Sequence, residues 1–144
     1  MNSIDPQQRP DGDVLDLFRR GSELLEQGDY SAALISLAKA AELEPDKSSI
    51  REALGRAYFS AHRYSDAAVE FAAVVERYPV NDYAHFCLGR SLSLSGRADR
   101  ARRHLALAAN LRPDREDYRT YRDRLVTELE RGGQRSNGIS RAQT

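Results

Sequence analysis

Residues 54–71 read LGRAYFSAHRYSDAAVEF, and their meaning lies in what recurs 34 residues to either side. Leu54-Gly55 is matched by Leu88-Gly89 and, without the leucine, by Arg20-Gly21. Tyr58 takes the phase of Leu24 and Leu92, Ala67 that of Ala33 and Ala101, and Phe71 that of Leu37 and Leu105. Pro45, Pro79 and Pro113 close each segment. A chain that returns to one phase three times is built from one supersecondary unit used three times.

Within a segment the apolar residues stand at helical spacing, as in Leu17, Leu24 and Leu25 followed by Ala33, Leu34, Leu37, Ala40 and Ala41. That is the pattern of two amphipathic helices, because strands would alternate. Gly28 and Gly96 stand where the first helix must stop, since glycine readily takes the left-handed conformation that ends a helix. Gly21, Gly55 and Gly89 fall inside first helices, where glycine costs about 1 kcal/mol relative to alanine. Close helix approach is the expected compensation, with Ala33, Ala67 and Ala101 on the facing side. Each proline drives the residue before it (Glu44, Tyr78, Arg112) out of the helical region and ends the second helix. A hairpin of this length cannot bury its apolar face alone, so stacked hairpins are expected.

These residues resemble the tetratricopeptide repeat, over three repeats at 14–47, 48–81 and 82–115. The resemblance implies an all-α chain, an α-solenoid of three helix-turn-helix tetratricopeptide repeats with a capping helix. There are departures. His62-Arg63-Tyr64 replaces Gly28-Asp29-Tyr30, Ala98 replaces the tyrosine, and Val74 stands where Ala40 and Ala108 do. After Pro113 comes DREDYRTYRDRLVTELERGG, which predicts a capping helix over 115–131. Asp114 is the expected N-cap, Glu116 and Asp117 suit the first turn, and Gly132-Gly133 the stop. Tyr118, Tyr121, Leu125 and Leu129 make its apolar stripe. Residues 1–13 and 132–144 are polar and expected to be disordered.

The 144 residues suit one domain, and 22 acidic against 22 basic residues give no global pull toward nucleic acid or anionic membrane. Cys87 is the only cysteine, the N-terminal residues lack the apolar core of a secretory signal, and no apolar run could cross a bilayer, which together predict a cytoplasmic protein. His62, His85 and His104 show no metal-binding spacing, and neither a phosphate loop nor a nucleophile elbow occurs. No catalysis, metal or cofactor is expected. Repeat one carries seven acidic and four basic residues, and repeat three carries three and seven, including Arg97, Arg100, Arg102 and Arg103. With few interleaved aromatics, that patch suits a solvated or protein-binding face better than nucleic acid. The gradient also permits end-to-end self-association, so a self-assembling scaffold is the alternative to an adaptor.

The family resemblance implies a concave groove, lined by first helices, that takes a peptide or helix of a partner protein. The matching positions are Leu15, Phe18, Arg19 and Ser22, then Glu52, Ala53, Arg56 and Phe59, then Tyr83, Phe86, Cys87 and Arg90. The family's co-chaperone branch clamps a terminal carboxylate with lysines and asparagines; the matching Phe18, Ser22, Ala53, Tyr83 and Cys87 offer neither. Arg56 and Arg90, one repeat apart, instead suit a ligand with acidic and apolar residues. Two further roles stay open. Phe18, Phe59 and Phe86 fit packing between first helices, and the arginines fit ion pairs with Glu52 or Asp82. Small bacterial secretion chaperones have a similar three-repeat build.

Overall fold

The computed structural model describes residues 10–142, with side chains over 13–137. Seven helices and no strand occur among them: α1 (Pro10–Glu26), α2 (Tyr30–Leu43), α3 (Ser48–Ser60), α4 (Tyr64–Arg77), α5 (Asp82–Leu94), α6 (Ala98–Leu111) and α7 (Glu116–Ala142). They fall into two compact units, Met1–Pro79 and Val80–Thr144. A repeat chain divides in this way because its helices pack mainly on their sequence neighbours.

In the first unit α1 pairs with α2, α3 with α4, and α2 packs on α3, with α1 also touching α3. Its core holds Ala33, Leu37, Ile50, Leu54 and Ala57, with Ala67, Phe71 and Val74 buried from α4. In the second unit α5 pairs with α6, and α7 lies on α6 and reaches α5. Leu88, Leu92, Ala101, Leu105, Tyr118 and Leu125 are buried there.

The in-helix glycines sit where a methyl group has no room. A Cβ on Gly21 would stand 2.5 Å from Leu37 Cγ, one on Gly55 2.9 Å from the Phe71 ring, and one on Gly89 2.7 Å from Leu105 Cγ. The atoms facing each glycine therefore belong to the large side chain one turn beyond Ala33, Ala67 and Ala101. Those alanines are themselves fully buried.

All three hairpins turn by one device. Gly28 N–H donates to Leu25 and Asp29 N–H to Leu24; His62 and Arg63 donate to Phe59 and Tyr58; Gly96 and Arg97 donate to Ser93 and Leu92. The left-handed residue is Gly28 (φ 82°), Gly96 (φ 81°) or, in the middle hairpin, His62 (φ 60°). A side chain is uncommon in that region. Here the Tyr64 hydroxyl, 2.9 Å from His62 Nδ1, holds the imidazole, and the Arg63 guanidinium lies 4.9 Å from the Tyr58 ring centroid. The second helices end as the prolines dictate, with Glu44, Tyr78 and Arg112 at φ −132°, −127° and −133°.

Three expectations near the ends change. Asp114 does not cap α7; its carboxylate accepts two bonds from the Arg112 guanidinium at 2.9 and 2.8 Å, which hold it down at about 2. The helix does not stop at Gly132-Gly133 but runs to Ala142, through the stretch expected to be irregular. Glycine weakens a helix without breaking its hydrogen bonds, and neither residue takes a left-handed φ. At the other end α1 begins at Pro10, within the segment expected to be disordered; residues 1–9 lie outside the described residues.

Candidate partner-binding faces

On α1, Leu15 leaves 53% of its surface to solvent and Arg19 is exposed one turn later, while Phe18 and Ser22 are half-buried. On α3, Arg56 is exposed, Phe59 and Glu52 are half-buried, and Ala53 is buried. Phe59 packs edge-on against Tyr64, with ring centroids 5.1 Å apart. Burial raises the Glu52 carboxyl above its usual range, and Arg56 opposes this only in part. An ion pair between the two is not formed. What remains on α1 and α3 is an uncovered leucine, two half-buried phenylalanines and two exposed arginines.

The second unit treats the matching positions differently. Phe86 keeps only 8% of its surface and stacks on Tyr118 at 4.6 Å, with Tyr121 edge-on at 5.4 Å. Phe86 fits packing between first helices from the sequence; the element that covers it here is α7. The Arg90 guanidinium lies 4.4 Å from the Tyr121 ring centroid. Asp82 accepts a 2.8 Å hydrogen bond from the buried Tyr118 hydroxyl. Burial, reinforced by this bond, pushes the Tyr118 hydroxyl well above the ordinary phenol range. Tyr83 and Cys87 are half-buried on α5.

Sequence reasoning passed over two pairs that bridge the helices of a hairpin. Arg51 Nη1 donates to Glu70 Oε2 at 3.0 Å between α3 and α4, while Arg51 Nε donates to the Pro45 carbonyl at 2.8 Å. Between α5 and α6, His85 and His104 stack with centroids 5.3 Å apart and their Nδ1 atoms at 3.1 Å. Burial lowers His104 to about 4, and His85, Arg100 and Arg103 add to the effect. The signal was the period itself, since His85 and His104 each stand 34 residues after Arg51 and Glu70. His85 and His104, which show no metal-binding spacing in the sequence, are partners. Among the described residues no group of three or more His, Cys, Asp or Glu side chains is gathered for a metal.

Residues 24–87 match the tetratricopeptide repeat family. Over that stretch the chain is similar to the tetratricopeptide repeat. Its fold is that of solved repeat domains. The first repeat domain of Spaghetti (RPAP3), bound to the HSP90 peptide SRMEEVD, is similar at a TM-score of 0.77 and 17% identity, covering 88% of this chain and 97% of that one. MamA from Desulfovibrio magneticus RS-1 is similar at 0.78 and 19% identity, covering 92% of this chain and 73% of that one. A chain of the CopN-Scc3 complex is similar at 0.67 and 15%, covering 79% and 67%. No characterised protein matches by sequence. At these identities the likeness is one of fold. No described helix is long and apolar enough to cross a membrane.

Proposed function

We propose that this repeat protein is a non-enzymatic adaptor or chaperone-like protein of the cytoplasm that holds a peptide or helix of a partner protein on its first helices. The observation that carries the reading is on α1 and α3, where Leu15 is half exposed, Arg19 is exposed one turn after it and Arg56 is exposed on α3. An uncovered apolar side chain together with exposed guanidinium groups suits a segment with acidic and apolar residues, because arginine binds carboxylates through paired N–H donors. A solved repeat domain of this fold holds a peptide of such composition, SRMEEVD, which supports the reading by analogy. Nucleic acid is the poorer ligand, since the chain carries no excess of positive charge.

The test compares proteins recovered from native lysate by wild type and by the Leu15→Asp, Arg56→Glu variant. Both positions are exposed, so helical content should be unchanged by circular dichroism. Loss of a partner from the variant supports the reading, and recovery of the same set from both overturns it.

End-to-end self-association is the second reading. Arg97, Arg100, Arg102 and Arg103 are exposed on and just before α6, and Asp13, Asp16 and Glu23 are exposed on α1. A homo-oligomer held by such charges would grow with concentration and dissociate in high salt.

A further inference from the structure

The α1–α2 hairpin of the first unit holds a crevice of about 560 Å³. Asp13, Asp16 and Glu42 line it with carboxylates, Leu17 and Leu43 with apolar surface, and Arg20 and Lys39 with cations. Joined by a short turn, α1 and α2 run antiparallel, so the start of α1 lies beside the end of α2. The three carboxylates therefore share one end of the crevice, and the two cations stand one turn further along their helices. Among the described residues none of these five charged side chains forms an ion pair. Leu43 leaves 53% of its surface uncovered beside them.

The opposite arrangement stands on α6 in the second unit. Arg100, Arg103, Leu107 and Leu111 follow at spacings of three, four and four, which places them on one helix face. All four are exposed, and among the described residues neither arginine forms an ion pair. The imbalance runs through the whole chain. Residues 1–79 carry 14 acidic and 9 basic side chains, and residues 80–144 carry 8 and 13. A neutral chain is thus negative over one unit and positive by the same amount over the other.

We infer that the crevice receives α6 of a second copy of this chain, with Arg100 and Arg103 on Asp13, Asp16 and Glu42, and Leu107 and Leu111 against Leu17 and Leu43. Charge complementarity selects the occupant, since one sequence supplies both the carboxylates and the guanidinium groups that lack a partner, each set beside leucines. The two faces are unlike, so a pair of copies keeps one of each free and further copies add in series. This contact rests on the self-association reading and narrows it to a defined crevice and one helix face. It uses none of Leu15, Arg19 and Arg56, and failure of the adaptor reading leaves it standing.

Sedimentation velocity on the full chain, from micromolar to millimolar concentration, reads the association directly. Wild type should grow in size with concentration at low salt and shrink at high salt. The variant Asp16→Lys, Glu42→Lys reverses the crevice, and Arg100→Glu, Arg103→Glu reverses the helix face. All four positions are exposed, so circular dichroism should show unchanged helical content. Each variant alone should associate at least about tenfold more weakly, because like charges then meet. An equal mixture of the two should associate again, because each supplies the sign that the other lacks. The neutral variant Asp16→Asn, Glu42→Gln keeps the shape and should fall between wild type and the reversed crevice. A wild type that stays monomeric throughout would overturn both the site and self-association. Association retained in full by any one variant, or a mixture no better than its components, would overturn the site and leave self-association standing.

Discussion

The α3–α4 hairpin of the first unit and the α5–α6 hairpin of the second place different chemistry at one position. The first puts Arg51 on Glu70 at 3.0 Å, and the second puts His85 on His104 at 3.1 Å. Both pairs bridge two helices at the same phase of the repeat, and both are partly buried. The arginine keeps its charge at any pH a protein meets. The histidine pair holds together only while one ring nitrogen donates and the other accepts, which requires that at least one ring be neutral. Two hairpins with one backbone therefore differ in what can loosen them.

The comparison presumes a shared packing frame, and the strongest perturbation tests that frame. Ala67 and Ala101 are fully buried at equivalent positions. Ala67→Glu and Ala101→Glu should each cost more than about 4 kcal/mol, since each buries a charge without a partner. Thermal melting followed by circular dichroism should show loss of the cooperative transition at 25 °C. An unchanged melting temperature in either variant would mean that the hairpins do not share the frame.

Glu70→Ala comes next. It leaves the partly buried Arg51 guanidinium without its carboxylate, at a cost of about 2 kcal/mol. Urea denaturation should show this loss equally at pH 7 and pH 6 if the arginine charge is what matters.

The histidine pair should respond to pH instead. His104 sits at about 4 in the folded chain against 6.5 when unfolded, so between those values the unfolded chain binds more protons. Stability is highest above 6.5 and falls as the pH drops toward 4. His104 is only half-buried, and solvent screening reduces the loss to about 1–2 kcal/mol. Urea midpoints at pH 7 and 5 measure it. The double substitution His85→Arg, His104→Glu installs the pair of the first unit and should flatten the profile over this range; an unaltered pH dependence would place its source elsewhere.

The fold was legible where backbone preference repeats. Prolines at one phase ended three helices, and in-helix glycines marked close packing because an added Cβ at Gly21, Gly55 or Gly89 would collide with the side chain facing it. The cross-helix pairs were harder to see, since Arg51 and Glu70 lie 19 residues apart on different helices and meet only when the hairpin angle is known. Phe86 was legible as a first-helix position but not as a covered one. Its burial depends on where α7 lies, and the stripe of Tyr118 and Tyr121 says that the helix packs without saying onto which residue.

Gly132 and Gly133 invert the lesson of Gly55 and Gly89. The latter two face a neighbouring helix, whereas an added Cβ at 132 or 133 would meet no atom within 4 Å. Inside a helix with open space around it, glycine has only its propensity cost, so Gly133→Ala should stabilise the end of α7 by about 0.5–1 kcal/mol. Gly55→Ala gains the same propensity but drives a methyl group into the Phe71 ring, and its net effect should be destabilising. The expected readout for Gly133→Ala is slower amide exchange over residues 130–137 with the melting temperature unchanged, because residues 131–137 of α7 are exposed and the core does not depend on them. If exchange there were unaffected while Gly55→Ala proved stabilising, glycine position in this chain would not report helix contact, and the packing frame shared by the two units would lose its main support.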